Sequence, residues 1–257
     1  MTLPRSTTLL NTVSKYSQTA FSGITHLLWP PLCDVCGCTV ADSDEGLCSG
    51  CWDEVMASAG GDYCPACGRD ASRYGLVDFQ CGYCPDKNLQ FDGIARAAVY
   101  NDALRKLILS FKFNDRTELA GFLGSMVNSA FQASLFYDEV DLFVPVPLHW
   151  IRRIKRGYNQ AHILAKRLKH PAAKIDTDLV RIKNTHHQWN LPHSKRRTNV
   201  KGAFAVRKGH NYSGKTLCLV DDITTSWATL NECAKTLKLA GAKKVFAVVV
   251  AVAAQDN

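Results

Sequence analysis

The sequence predicts an α/β protein: a mostly parallel sheet with helices on both faces, joined to a small N-terminal Cys-rich, zinc-binding module. Three observations carry this. From Phe91 onward strand-like and helix-like segments alternate, and two of the strands are nearly continuous in apolar residues, as in sheets covered on both faces. Nine of the eleven cysteines fall between Cys33 and Cys84. The longest apolar run, Val245 to Ala254, reaches ten residues, about half of what a helix needs to cross a bilayer, so it reads as a buried strand.

The elements follow in order. Leu9, Leu10, Val13, Tyr16, Ala20, Phe21, Ile24, Leu27 and Leu28 recur at steps of three and four, which predicts an amphipathic helix over 8–28 within an N-terminal segment 1–31 ended by Pro30 and Pro31. Residues 32–90 are rich in Cys, Gly and Asp and poor in periodicity, as expected of a module held by metal. The α/β domain occupies 91–257. Its strands are 94–100, 141–147, 216–222 and 244–253, and its helices are Asp102 to Phe113, Glu118 to Phe136, about Asn159 to Leu168, and Ala228 to Ala240 closed by Gly241. Between 168 and Asn211 the chain reads as a basic, loop-rich stretch. The N-terminus has no continuous apolar run followed by a small-residue cleavage site, so we expect a cytoplasmic protein.

Cytosolic thiols stay reduced, so the cysteines read as metal ligands and not as disulfides. Cys33, Cys36, Cys48 and Cys51, then Cys64, Cys67, Cys81 and Cys84, form two sets of paired Cys-x-x-Cys knuckles at the spacing of structural zinc. Gly37 and Gly68 follow the first knuckle of each set, and the halves look like a duplicated ribbon. Either sequential pairing or a crossed one, with Cys33 and Cys36 joining Cys64 and Cys67, satisfies the spacing. Closed four-thiolate sites leave no open position, which points to stability or docking and away from catalysis. Cys38 is left over.

Charge is uneven. Residues 1–91 carry five bases against ten acids, whereas 144–215 carry seventeen Lys or Arg against only Asp176 and Asp178, a net of +15. Such an excess points to a polyanionic ligand: a diphosphate, a nucleotide or a nucleic acid.

The segment Val220 to Thr229, VDDITTSWAT, is the most informative. A buried strand ends in Asp221 and Asp222, and a hydroxyl-rich loop then opens into a helix near Ala228. In open α/β sheets the ligand crevice lies at the carboxyl ends of the strands, where a helix N-terminus presents free N–H groups to phosphate. Thr225, Ser226 and Thr229 add hydroxyls, and the two carboxylates are placed to accept ribose hydroxyls or to hold Mg²⁺.

At these residues the chain resembles the phosphoribosyl diphosphate (PRPP) loop of type I phosphoribosyltransferases. With LLWPPLCDVCG at 27–37, YNDALRKLILSFKF at 100–113, VPVPLHWIRRIKRGYNQAHILAK at 144–166, QWNLPHSKRRTNVKGAF at 188–204 and 219–242, it is similar to the ComF/GntX family associated with natural competence. The resemblance implies a type I phosphoribosyltransferase-like sheet preceded by a double zinc ribbon with two structural zinc ions, and a site that takes PRPP with Mg²⁺. It places diphosphate at Val144, Pro145, Val146 and Pro147 with Arg156 and Gly157 nearby, ribose at Asp221 and Asp222, and the 5-phosphate on the backbone of Thr225, Ser226, Trp227, Ala228 and Thr229. Lys112, Asn159 and Gln160 fall in family blocks, and Arg196 and Arg197 lie where such enzymes carry a mobile loop. One residue departs from the pattern: Trp227 stands where the family usually has Gly, and a side chain disfavours the unusual φ that Gly permits. Its ring either lies outside the site in an α-region loop or stacks on a base. The implied functions are a PRPP-dependent transferase of unidentified acceptor, a protein handling incoming single-stranded DNA together with competence proteins, or a PRPP sensor without catalysis.

Overall fold

The computed structural model describes residues 30–40, 46–82, 84, 89–113, 116–185 and 198–253. Two compact units divide the chain between Trp52 and Asp53. The helix expected over 8–28 and the pair Arg196 and Arg197 lie outside the described residues.

In the first unit the chain reverses through a knuckle at Cys33 to Cys38. The Cys33 amide donates to the Cys38 carbonyl (2.7 Å), the Gly37 amide to the Cys33 carbonyl (2.9 Å), and Leu32 pairs with Thr39. Helix α1, Ser49–Ser58, begins directly after Cys48 and carries Cys51, a helix that the Cys-rich composition concealed.

The second unit is built on a five-stranded, wholly parallel sheet, which agrees with the predicted fold class. A short hairpin of β1 (Leu76–Val77) and β2 (Gln80–Cys81) comes first. The sheet strands are β3 (Gly93–Val99), β4 (Leu142–Pro145), β5 (Lys174–Ile175), β8 (Thr216–Thr224) and β9 (Lys244–Val252), in the spatial order β3-β9-β8-β4-β5. β9, read as KVFAVVVAV, is buried at all but its first residue, which explains its unbroken apolar character. β6 (Leu179–Arg181) and β7 (Phe204–Val206) form a separate antiparallel pair within the stretch expected to be loops.

Helix α2, Asp102–Phe113, has the predicted bounds. Asn101 caps it by accepting from the Leu104 amide (2.9 Å), and Ala103, Leu104, Leu107, Ile108 and Phe111 form its buried stripe. Helix α3, Ala120–Gln132, is shorter than expected because residues 133–136 leave the helix. Helix α4, Trp150–Arg156, was not foreseen: its basic run has no apolar period, and no residue of it is buried. Helix α5 spans Gln160–Ala165, with Asn159 as its cap. Helix α6, Ala228–Leu239, connects β8 to β9 as a parallel crossover, and Gly241 (φ +97°) ends its last turn. Among the described residues no helix is long and apolar enough to cross a membrane.

Candidate functional site

The thiols gather in two clusters. In the first unit the sulfurs of Cys33, Cys36, Cys48 and Cys51 lie within 4.8 Å of one another, and in the second unit so do those of Cys64, Cys67, Cys81 and Cys84. The pairing is sequential, and the crossed alternative does not occur. Four convergent sulfurs at this spacing fit a structural zinc ion and leave no position for a substrate. In the second cluster the neighbouring Cys67 thiol and backbone amides hold Cys64 down to about 4 against desolvation, while Cys67 is pushed far up. Cys36 donates to Cys38 at 3.3 Å in the first unit, so the leftover thiol sits beside the cluster without belonging to the set of four.

The other chemistry lies at the carboxyl ends of β4 and β8. A cavity of about 250 Å³ opens there. It brings together Lys112, Val146, Pro147, Arg156, Asp221, Asp222 and the whole run Thr225 to Thr229, all singled out from sequence, along with Asn159 and Gln160. Val144 and Pro145 are buried in β4 and do not line it, and Gly157 lines an adjoining recess as the residue ending α4 at φ +79°. The sequence singled out neither Arg152 nor Arg181 as a site residue, yet both are in the wall. Arg152 stands on α4 and Arg181 on β6, two elements hidden in the basic stretch.

The carboxylates are differentiated. Asp222, 5% exposed, pairs with Lys112 of α2, Nζ to Oδ1 at 2.8 Å. Asp221 accepts from the Asp222 amide (2.9 Å); desolvation and the Asp222 carboxylate push its carboxyl up to about 7, against the pull of Lys112 and Arg181. Neither acid caps α6, whose N-cap is Trp227 without a side-chain bond. The three guanidiniums face the opposite situation. Burial lowers Arg156 and Arg181, and burial with the charges of Arg181 and Arg156 brings Arg152 down to about 10. Arg152 and Arg181 both donate to Thr185, one to its carbonyl and the other to its hydroxyl, and none of the three forms an ion pair with a described carboxylate. Two further polar groups are buried without a partner in this wall: the Gln160 amide nitrogen and the Ser226 hydroxyl, on residues 2% and 7% exposed. Unsatisfied donors around an enclosed space mark where a ligand's acceptors belong.

Trp227 corrects the expectation from its side chain. It adopts φ +54°, the left-handed conformation that Gly would take. The residue is 3% exposed, its Nε1 donates to the Cys67 carbonyl at 2.7 Å, and the Arg69 guanidinium lies over the ring at 4.9 Å.

Comparison with known proteins places these features in context. A family model for a double zinc ribbon domain matches residues 24–86. The chain is 30% identical over 207 residues to competence protein F of Haemophilus influenzae, covering 78% of this chain and 88% of that one. It is 30% identical over 221 residues to the DNA utilization protein YhgH of Salmonella typhimurium, covering 84% and 94%. Among solved structures, a purine phosphoribosyltransferase from Pyrococcus horikoshii aligns with a TM-score of 0.30 at 14% identity, covering 51% of this chain and 73% of that one.

Proposed function

The chain belongs to the competence protein F family, and from that premise we propose that it binds PRPP with Mg²⁺ and serves the handling of incoming single-stranded DNA during natural transformation. The observation that carries the ligand class is the cavity wall. Two adjacent carboxylates, three guanidiniums that form no ion pair with a described carboxylate, and the N-terminus of a twelve-residue helix line the same space. A sugar bearing phosphate and diphosphate matches that combination of groups.

In this reading the Thr225 to Thr229 backbone and the Ser226 hydroxyl receive the 5-phosphate. Asp221 and Asp222 accept the ribose hydroxyls, and their hard oxygen donors also fit Mg²⁺, which when bound neutralises charge on the leaving diphosphate. Arg152, Arg156 and Arg181 hold the diphosphate. Lys112 orients Asp222 through their ion pair. Breaking the bond between the anomeric carbon and diphosphate needs orientation and charge neutralisation more than proton transfer. His149 accordingly stays outside, its Nδ1 accepting the Ile151 amide at the start of α4.

The +15 excess over 144–215 supports single-stranded DNA as the second ligand. Calorimetric titration with PRPP and Mg²⁺, then with single-stranded DNA at two salt concentrations, tests both parts. Binding of PRPP that Asp222→Ala abolishes, and DNA affinity that falls steeply with salt, are the expected results. A wild-type protein that takes no PRPP overturns the phosphoribosyl reading.

A further inference from the structure

We infer that Trp227 is a positioning residue that ties the ligand loop to the second cysteine cluster, so that filling of Cys64, Cys67, Cys81 and Cys84 by metal sets the conformation of residues 225–229. The inference deepens the proposed function, because it concerns the loop assigned to phosphate, but its geometry stands apart from the identity of the ligand.

A left-handed φ at a residue with a bulky side chain is unfavourable and persists only where surroundings over-determine it. Here the surroundings are the knuckle. The indole N–H is bonded to the Cys67 carbonyl, and one ring face is covered by Arg69. A second tie lies one turn along α6, where Asn231 Oδ1 accepts the Gln90 amide at 2.8 Å. The first turn of the helix is thus held at two points by the cysteine segment. The Trp227 carbonyl in turn accepts the Asn231 amide (2.8 Å), so the residue that meets the knuckle also starts the helix whose N-terminus faces the cavity.

The Cys67 carbonyl belongs to a knuckle closed by backbone hydrogen bonds. The Cys64 amide donates to the Arg69 carbonyl (2.8 Å), and the Gly68 amide to the Cys64 carbonyl (2.7 Å). Gly68 sits at φ +80° so close to the sheet that a Cβ would meet Val252 Cγ2 at 2.9 Å and Ile94 Cγ2 at 3.2 Å. The Ile94 amide donates to the Pro65 carbonyl at 2.8 Å. The same knuckle carries two of the four sulfurs, with Cys64 3.5 Å from Cys84 and Cys67 3.7 Å from Cys81. A metal ion bound to all four sulfurs fixes those separations and with them the knuckle. The route from metal to loop is therefore sulfur, Cys67 carbonyl, indole, backbone.

The test is hydrogen–deuterium exchange on full-length, reduced protein, read on peptides spanning 221–231, before and after chelation, for wild type and Trp227→Phe. Phe keeps an aromatic ring but has no N–H to donate. In wild type, chelation should accelerate loop exchange about tenfold or more. In zinc-loaded Trp227→Phe the loop should already exchange fast at an unchanged zinc content, and chelation should then add less than about twofold. The zinc-loaded Phe protein keeps the test sound even if chelation unfolds the second unit. Slow loop exchange in that protein, or a chelation response equal to wild type, overturns the inference. Titration with PRPP and Mg²⁺ separates the two claims. Affinity about tenfold weaker in Trp227→Phe supports the tie; equal affinity in Phe and wild type overturns its role in binding while leaving PRPP recognition standing. The predicted exchange pattern in a protein that binds no PRPP overturns the ligand reading and leaves the tie standing.

Discussion

The two cysteine knuckles share a backbone but not surroundings. An offset of 31 positions superimposes their hydrogen bonds: Cys33 to Cys38 matches Cys64 to Arg69, Gly37 to Cys33 matches Gly68 to Cys64, and the bridge Leu32 to Thr39 matches Tyr63 to Asp70. Both glycines have positive φ. Yet a Cβ on Gly37 would meet nothing within 4 Å, whereas one on Gly68 would strike the sheet. Cys36 is exposed, while Cys64, Cys67 and Cys81 belong to the same buried core as β8, β9 and Trp227. The residue matching Cys38 is Arg69, which lies over Trp227. The two copies share a backbone, and what each touches sets what a metal bound there would hold in place.

The largest expected effect tests that contrast directly. Replacing Cys64 and Cys81 together by Ser should lower the main thermal transition by about 10 °C or more and remove one zinc, because a core cluster loses its cross-link. Replacing Cys36 and Cys48 should remove one zinc and leave the main transition within about 2 °C of wild type. Calorimetric scans with metal analysis check this, and equal shifts for both pairs would break the comparison.

A smaller effect isolates packing from metal. Gly37→Ala carries only the cost of a left-handed alanine, about 1–2 kcal/mol. Gly68→Ala adds overpacking against Val252 and Ile94, typically about 1–3 kcal/mol more. Denaturant unfolding of the two variants should rank them in that order, and similar midpoints would mean the sheet yields to the extra methyl.

How much of this was legible follows from the same contrast. The long apolar strands β8 and β9, the periodic stripe of α2 and the spacing of the cysteines are local patterns, and they gave fold class, sheet and clusters. The Asp221 and Asp222 pair was legible because a strand end and a helix start enclose it. Arg152 and Arg181 were not, since α4 has no buried residue and β6 only three residues, so charge masked their structure. The conformation of Trp227 was not legible either. Its φ is set by a carbonyl 160 positions away, and residue preference alone argues against it.

The smallest effect concerns the cavity at the carboxyl ends of β4 and β8, and its sign runs opposite for stability and for binding. The Asp221 carboxyl titrates near 7 in the folded protein against 3.8 in an ordinary setting, pushed up by desolvation and by Asp222. The folded state therefore holds this proton more tightly than the unfolded chain does. Its contribution to stability is complete below about 4, declines as pH rises toward 7, and is constant above that. Asp221→Asn removes the dependence, so the variant should melt a few degrees above wild type at pH 8, with the gap closing as pH falls toward 5. Binding needs the ionised carboxylate as an acceptor for ribose hydroxyls or Mg²⁺, so wild-type affinity for PRPP should rise with pH up to about 7. The Asn variant should bind weakly at every pH. Thermal scans and titrations across pH 5 to 8 read both signs. A variant less stable than wild type at pH 8 would mean that the ionised Asp221 is satisfied by its neighbours, and that the cavity is not held in readiness for a ligand at the expense of the fold.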